Sequence, residues 1–332
     1  MARLPTAIAA LALCAAAAQA APYRAPRTAF GAPDLQGIWT NSSLTFLERP
    51  PIFKALVATP QEEAMMLGGF KTLLGGILDP TADPNAPAPP VVKSAPQADN
   101  LEMDLHLARI DGQMRSSWIV DPADGKVPYN DAGRAAVKAT GISSFDGPEG
   151  RPLSERCLTA VGSPEGPPML NTGFNANYQI VQTRDHVAIE VEMNHDVRII
   201  RLGDRGHIPE AVRPWMGDSV GWWEGDTLVV ETTNFNPASH VESLGSDIVF
   251  SPKAKLVERF TRTAPDRILY EFSVDDPVYL TRPWRAEMPM RTAPGPIYEY
   301  ACHEGNYSIV NALEGARAQE RGPATPPAAK AP

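Results

Sequence analysis

The chain holds only six histidines, and two of them are followed directly by a carboxylate, as His195-Asp196 and His303-Glu304. An imidazole changes charge near neutral pH, and a carboxylate that orients it makes it a serviceable general base. These four residues form the candidate catalytic set, with His303 and His195 as base and acid and Glu304 and Asp196 as their orienters. Arg198 and Arg259 would clamp an anionic substrate or an enolate, so the chemistry implied is elimination or isomerisation. Adjacent residues on an extended chain face opposite ways, so Asp196 need not touch His195. A loop histidine satisfied by backbone is the competing reading of each imidazole.

Other chemistries find less support. His195, His303, Glu304 and Glu192 are metal-ligand types, but no HxxxH, HxH or CxxC spacing accompanies them. Asp275-Asp276 and Asp218 lack the alternating oxygen pattern of a calcium loop. Gly162-Ser163 and Gly245-Ser246 lack the flanking glycines of a nucleophile elbow. The expectation is therefore no metal and no cofactor, with a metal-dependent hydrolase ranked third among functions. Trp215 and Trp284 each follow a proline and sit near Arg213, Arg282 and Arg285. They would form either a stacking rim for a ring-shaped ligand or, as large rings usually do in β proteins, part of the core.

The elements that must position these groups are mostly strands. Gly221-Trp-Trp-Glu-Gly-Asp-Thr-Leu-Val-Val-Glu-Thr-Thr-Asn-Phe235 reads as two strands meeting at a Glu-Gly-Asp turn. Further strands are expected at 178–183, 187–193, 196–202, 255–263, 267–274, 279–287 and 297–302. About nine strands separated by turns predict a mainly β chain, an antiparallel up-and-down meander closing as a barrel or sandwich. Alternation puts Leu256, Glu258, Phe260 and Arg262 on one face and Arg259 on the other, and places Glu231 with Thr227 and Val229. Charges recurring at mid-strand describe either a solvated outer face or a polar lumen in which Glu231, Arg198 and Arg259 would touch a ligand.

Ahead of the β region lies an extension, 21–170, with a short strand at 35–40. Thr59-Pro60-Gln61-Glu62 is a helix start in which Thr59 caps and Glu62 reaches back; the helix should end near Gly68 or Gly75. Asn130 should cap a second helix over 131–140 with Gly141 as its stop. The proline-rich stretch 79–99 reads as a surface linker. The β domain would span 171–318, with a disordered tail over 319–332.

The first twenty residues read as an export signal: Arg3, an apolar stretch from Ala7 to Ala18, and Ala18-Gln19-Ala20 as a small-x-small cleavage site. A periplasmic or secreted protein is expected, without a transmembrane segment in the mature chain. Beyond the signal only Cys157 and Cys302 remain. In an oxidising compartment they would form a long-range disulfide, the alternative being two buried thiols. A formal charge of −9 and the lack of a basic track argue against nucleic acid as a partner. The oligomeric state is not legible.

Four strings together, Pro33-Asp-Leu-Gln-Gly-Ile-Trp39, Glu224-Gly-Asp-Thr-Leu-Val-Val-Glu-Thr-Thr-Asn-Phe235, Val257-Glu-Arg-Phe260 and Tyr298-Glu-Tyr-Ala-Cys-His-Glu304, resemble an uncharacterised family of exported, β-rich bacterial proteins. The resemblance spans nearly all of the mature chain. It implies export and a β-rich fold and carries no reaction, though it adds weight to His303-Glu304, which lies inside a signature string. The expected function is binding of a small organic molecule with metal-independent acid/base chemistry of the lyase or isomerase type. The alternative is a non-catalytic periplasmic binding or envelope-associated module.

Overall fold

A computed structural model of the chain describes residues 23–77, 106–141, 144–203, 206–243 and 247–322. The expected export signal, the whole proline-rich linker and most of the tail lie outside these residues. In chain order the elements are β1 (Gly37–Thr40), α1 (Pro60–Ile77), β2 (Arg109–Ile110), β3 (Gln113–Met114), β4 (Ile119–Asp121), α2 (Asp131–Lys138), β5 (Asn177–Gln182), β6 (His186–Val191) and β7 (Val197–Leu202). There follow β8 (Asp218–Glu224), β9 (Thr227–Thr233), β10 (His240–Val241), β11 (Ile248–Val249), β12 (Lys255–Ala264), β13 (Arg267–Asp275), β14 (Trp284–Thr292) and α3 (Tyr307–Glu320).

Nine strands close a barrel in the order β1-β5-β6-β7-β8-β9-β12-β13-β14, with β14 returning to β1 through Trp39 opposite Thr292. The mainly β reading and the barrel alternative therefore hold, but the ladder is mixed where an antiparallel one was expected. The exception is β7 with β8, which run parallel with Ile200 opposite Ser219. Parallel neighbours need a long crossover, and residues 203–217 supply it. The returning chain is tied down chemically. Asn234 donates to the carbonyls of Ile208, Pro209 and Val212, while Asp218 accepts from both Nη groups of Arg201 and from the Ile208 N–H and pairs with His207 Nδ1 at 2.8 Å.

The strand expected over 297–302 is irregular chain instead. Pro294 and Pro296 precede it, and proline cannot donate to a ladder. Its place in the wall is taken by β1, whose short Trp39-Thr40 stretch pairs with β5 on one side and β14 on the other. The final helix α3 was not foreseen, and α1 runs past both Gly68 and Gly75 to Ile77. Both foreseen helix starts have the expected caps: Thr59 and Glu62 bond reciprocally, and Asn130 accepts the Gly133 N–H at 2.9 Å.

Strand alternation fills the lumen. Tyr178, Ile189, Ile200, Val230, Phe260, Tyr270, Phe272, Trp284 and Met288 point inward and are almost wholly buried. Phe260, Tyr270, Phe272 and Trp284 form a ring-to-ring chain with successive centroids 4.8, 5.6 and 5.5 Å apart. Within this apolar packing sits one ion pair. Arg198 donates through Nη1 and Nη2 to Glu258 at 2.7 and 3.0 Å, and Tyr270 donates to the same carboxylate at 2.7 Å. The mid-strand charges of the outer face form partly exposed pairs, such as Arg259 with Glu224 at 3.0 Å and Lys255 with Glu231 at 3.6 Å. Such pairs contribute under about 1 kcal/mol each.

Cys157 and Cys302 are joined in a disulfide across 145 residues of chain. Replacing Cys302 by serine should cost about 4 to 5 kcal/mol of stability under oxidising conditions, read by urea unfolding, and the difference should vanish with reductant. Glu258→Ala strands a buried guanidinium and should cost about 3–5 kcal/mol, whereas the double change Arg198→Met with Glu258→Leu should recover most of that loss. Equal losses in the single and double variants would exclude this account of the pair.

Candidate functional site

The parallel junction leaves an opening in the barrel. β8 meets β7 only from Ile200 onward, so Val197, Arg198 and Ile199 lie beyond the first rung of that ladder. Here, at the end where β7 and β8 begin and β9 finishes, a cavity of about 350 Å³ is walled by Asp196–Ile199, by Pro214–Ser219 and by the Glu165-Gly-Pro turn. Leu158, Thr159, Ser239, His240, Val241, Phe235 and Phe250 complete it. The last two rings stack at 4.2 Å and give it an apolar floor.

Glu165 lines this cavity from the Glu165-Gly-Pro turn. It is 6% exposed, Oε1 accepts the Ala160 N–H at 3.2 Å, and Oε2 has no hydrogen-bond partner among the described residues. Burial pushes its carboxyl up to about 8, against the pull of its own backbone N–H, and the negative field of Asp196 adds to the rise. Glu165 is therefore mostly a neutral acid at pH 7. The loop that carries it is stiff. Gly166 has φ +60°, and a Cβ there would lie 2.5 Å from the Pro168 carbonyl carbon, so no other residue fits.

The same loop plugs the barrel end. Met169 donates its N–H to Tyr270 Oη at 3.1 Å, which links the plug to the Arg198–Glu258 pair. Glu242 ties it from the other side, accepting from the Ser154 hydroxyl and the Gly162 N–H while its own N–H reaches Ser163. Burial raises the Glu242 carboxyl, but the nearby His240 imidazole and these donors hold it below the usual carboxylate range. His240 Nε2 lies 3.7 Å from it.

Asp196 lines the cavity opposite, and burial pushes it up to about 6. No side-chain hydrogen bond or ion pair reaches its carboxylate among the described residues. The two carboxyls thus differ in their protonation near neutrality, which is the usual arrangement of an acid and a base sharing one site.

Of the residues singled out from sequence, Asp196, Arg198 and Trp215 meet at this cavity. Arg198 reaches it as a guanidinium already bonded to Glu258, so its charge is neutralised. His195 sits at the same barrel end with different work: its Nε2 accepts the Tyr300 N–H at 2.9 Å. That bond, with Glu192 accepting the Tyr298 N–H, straps the C-terminal segment to the rim. His303 and Glu304 follow on this strap, exposed, with no side-chain hydrogen bond among the described residues. Arg259 and Glu231 lie on the outer wall, and Trp284 is a core ring with no exposure. Among the described residues no three His, Cys, Asp or Glu side chains gather as a metal-binding group.

Sequence reasoning missed Glu165 and His240. A single carboxylate inside Ser163-Pro-Glu-Gly-Pro-Pro168 was the available signal, since so rigid a loop holds a side chain in one place. His240 carries no such mark.

The raised carboxyls give a pH dependence. Each binds its proton more tightly in the folded state, so its contribution is complete below the unfolded value and is lost as pH rises through the folded one. Stability should therefore fall between about pH 3.8 and about pH 8, as Asp196 and then Glu165 ionise. Glu165→Gln should remove most of the upper part of that fall in urea titrations at fixed pH; an unchanged slope would mean Glu165 is not buried as described. No family model matches this chain, and a search of curated proteins returns no relative.

Proposed function

We propose that this protein is exported and binds a small organic molecule in the cavity at the barrel mouth, where Glu165 and Asp196 perform acid/base chemistry of the lyase or isomerase type. The observation that carries this is the buried Glu165 carboxyl, with Oε2 unpartnered in a cavity shared with Asp196. A buried polar atom without a partner is destabilising, and function is a common reason for keeping one. The neutral Glu165 would donate its proton to an oxygen of the substrate, while the ionised Asp196 would take a proton from a neighbouring atom. The stacked Phe235 and Phe250 make part of the lining apolar, which lowers the local polarity and strengthens both interactions. Export is supported by the leader-like first twenty residues and agrees with the disulfide.

The roles assign a pH profile. Activity requires Asp196 deprotonated and Glu165 protonated, so kcat/KM should be bell-shaped with limbs near pH 6 and pH 8. A thermal-shift screen of a metabolite library identifies ligands, and each hit is then followed for turnover. Glu165→Gln and Asp196→Asn should each lower kcat/KM about 10²–10⁴-fold. Turnover at the wild-type rate in either folded variant overturns the assignment, and binding with no turnover of any hit returns the protein to the ligand-binding reading.

A further inference from the structure

The charges facing the cavity decide what it admits. Among the described lining residues Arg198 is the one arginine or lysine; both of its Nη groups are bonded to Glu258, a residue with no exposure, so its charge is balanced although its Nε has no hydrogen-bond partner. Asp218 is balanced by Arg201 and His207. Glu242 has His240 beside it, and Nε2 of His195 is held as an acceptor by the Tyr300 N–H. That leaves Asp196, whose carboxylate has no ion pair among the described residues, and Glu165, whose Oε2 is an unpartnered polar atom on a side chain more than nine-tenths buried.

From this arrangement we infer that the cavity selects a small molecule with an apolar, ring-sized body and a protonated amine, and rejects carboxylates and phosphates. This inference rests on the cavity being the ligand site proposed above. The amine would lie against Asp196, within reach of the Trp215 ring at the entrance, which is 38% exposed and offers a π face to a cation. The body would rest on the stacked Phe235 and Phe250. Glu165 would donate to an acceptor atom of the same ligand. A carboxylate or phosphate would instead face Asp196 without a free cation to offset it, and like charges at contact distance in a partly desolvated site repel strongly.

The test uses three probes of nearly equal shape, benzylamine, benzyl alcohol and benzoate, titrated calorimetrically into the full-length folded protein at about pH 7.5. Benzylamine should bind about tenfold or more tightly than benzyl alcohol, with benzoate weakest, as one uncompensated charge implies. In Asp196→Asn the amine preference should shrink to about threefold or less, because the charge is gone while the shape is kept. Benzoate binding as tightly as the amine, an undiminished preference in Asp196→Asn, or no binding by any probe overturns the inference. The readouts are separable from the catalytic assignment: amine preference together with wild-type turnover in Glu165→Gln leaves the ligand class standing and removes the chemistry, whereas a bell-shaped pH profile without amine preference does the reverse.

Discussion

The Arg198–Glu258 ion pair inside the barrel connects the parts on which everything else relies. Arg198 comes from β7, Glu258 from β12 and Tyr270 from β13, and the Tyr270 hydroxyl accepts the Met169 N–H from the plugging loop. Three strands and the plug are thereby referred to one another through groups that have no water to fall back on. Hydrogen bonds of this kind favour one arrangement over many, because any other leaves a charge buried and unpaired. The apolar rings around the pair supply most of the burial energy. The pair links the strands that carry the rings to the loop that plugs the barrel.

The opening in the wall follows from topology. A closed antiparallel meander has a partner for every strand along its length, and it presents no gap. Here the chain leaves the end of β7, crosses back outside the barrel and re-enters as β8 in the same direction, so the first residues of β7 stand clear of the ladder. Asp218, with Arg201 and His207, fixes the crossover where it turns into β8. The cavity forms in the space between, and the disulfide and the Cys157 loop hold its other side in place.

Two carboxyls with different environments then acquire different properties. Glu165 is enclosed by its own Gly-Pro loop and by core, with a single N–H from Ala160, while Asp196 stands at the edge of the strand and is less deeply buried. Desolvation acts on both and more strongly on Glu165. The histidines that first drew attention serve the rim. His195 secures the C-terminal strap by accepting a backbone N–H, and His303 rides on that strap in solvent.

The local features were legible because their causes are local. Thr59-Pro-Gln-Glu62 and Asn130 cap helices by bonds to residues three positions away, and the shared face of Leu256, Glu258, Phe260 and Arg262 on β12 follows from the two-residue repeat of a strand, although which face turns inward does not. Two cysteines in a chain with an export-like leader are enough to suggest their pairing. The amino-acid sequence by itself thus determined a mainly β chain, most of its strands and the starts of α1 and α2, and it favoured the disulfide. Tertiary structure alone decided that β1 closes the barrel, that β7 and β8 run parallel, and that Glu165 and Asp196 share a cavity while Glu258 neutralises Arg198. Each of these depends on which distant segments become neighbours, and the identity and spacing of residues along a chain carry no record of that until the core has packed.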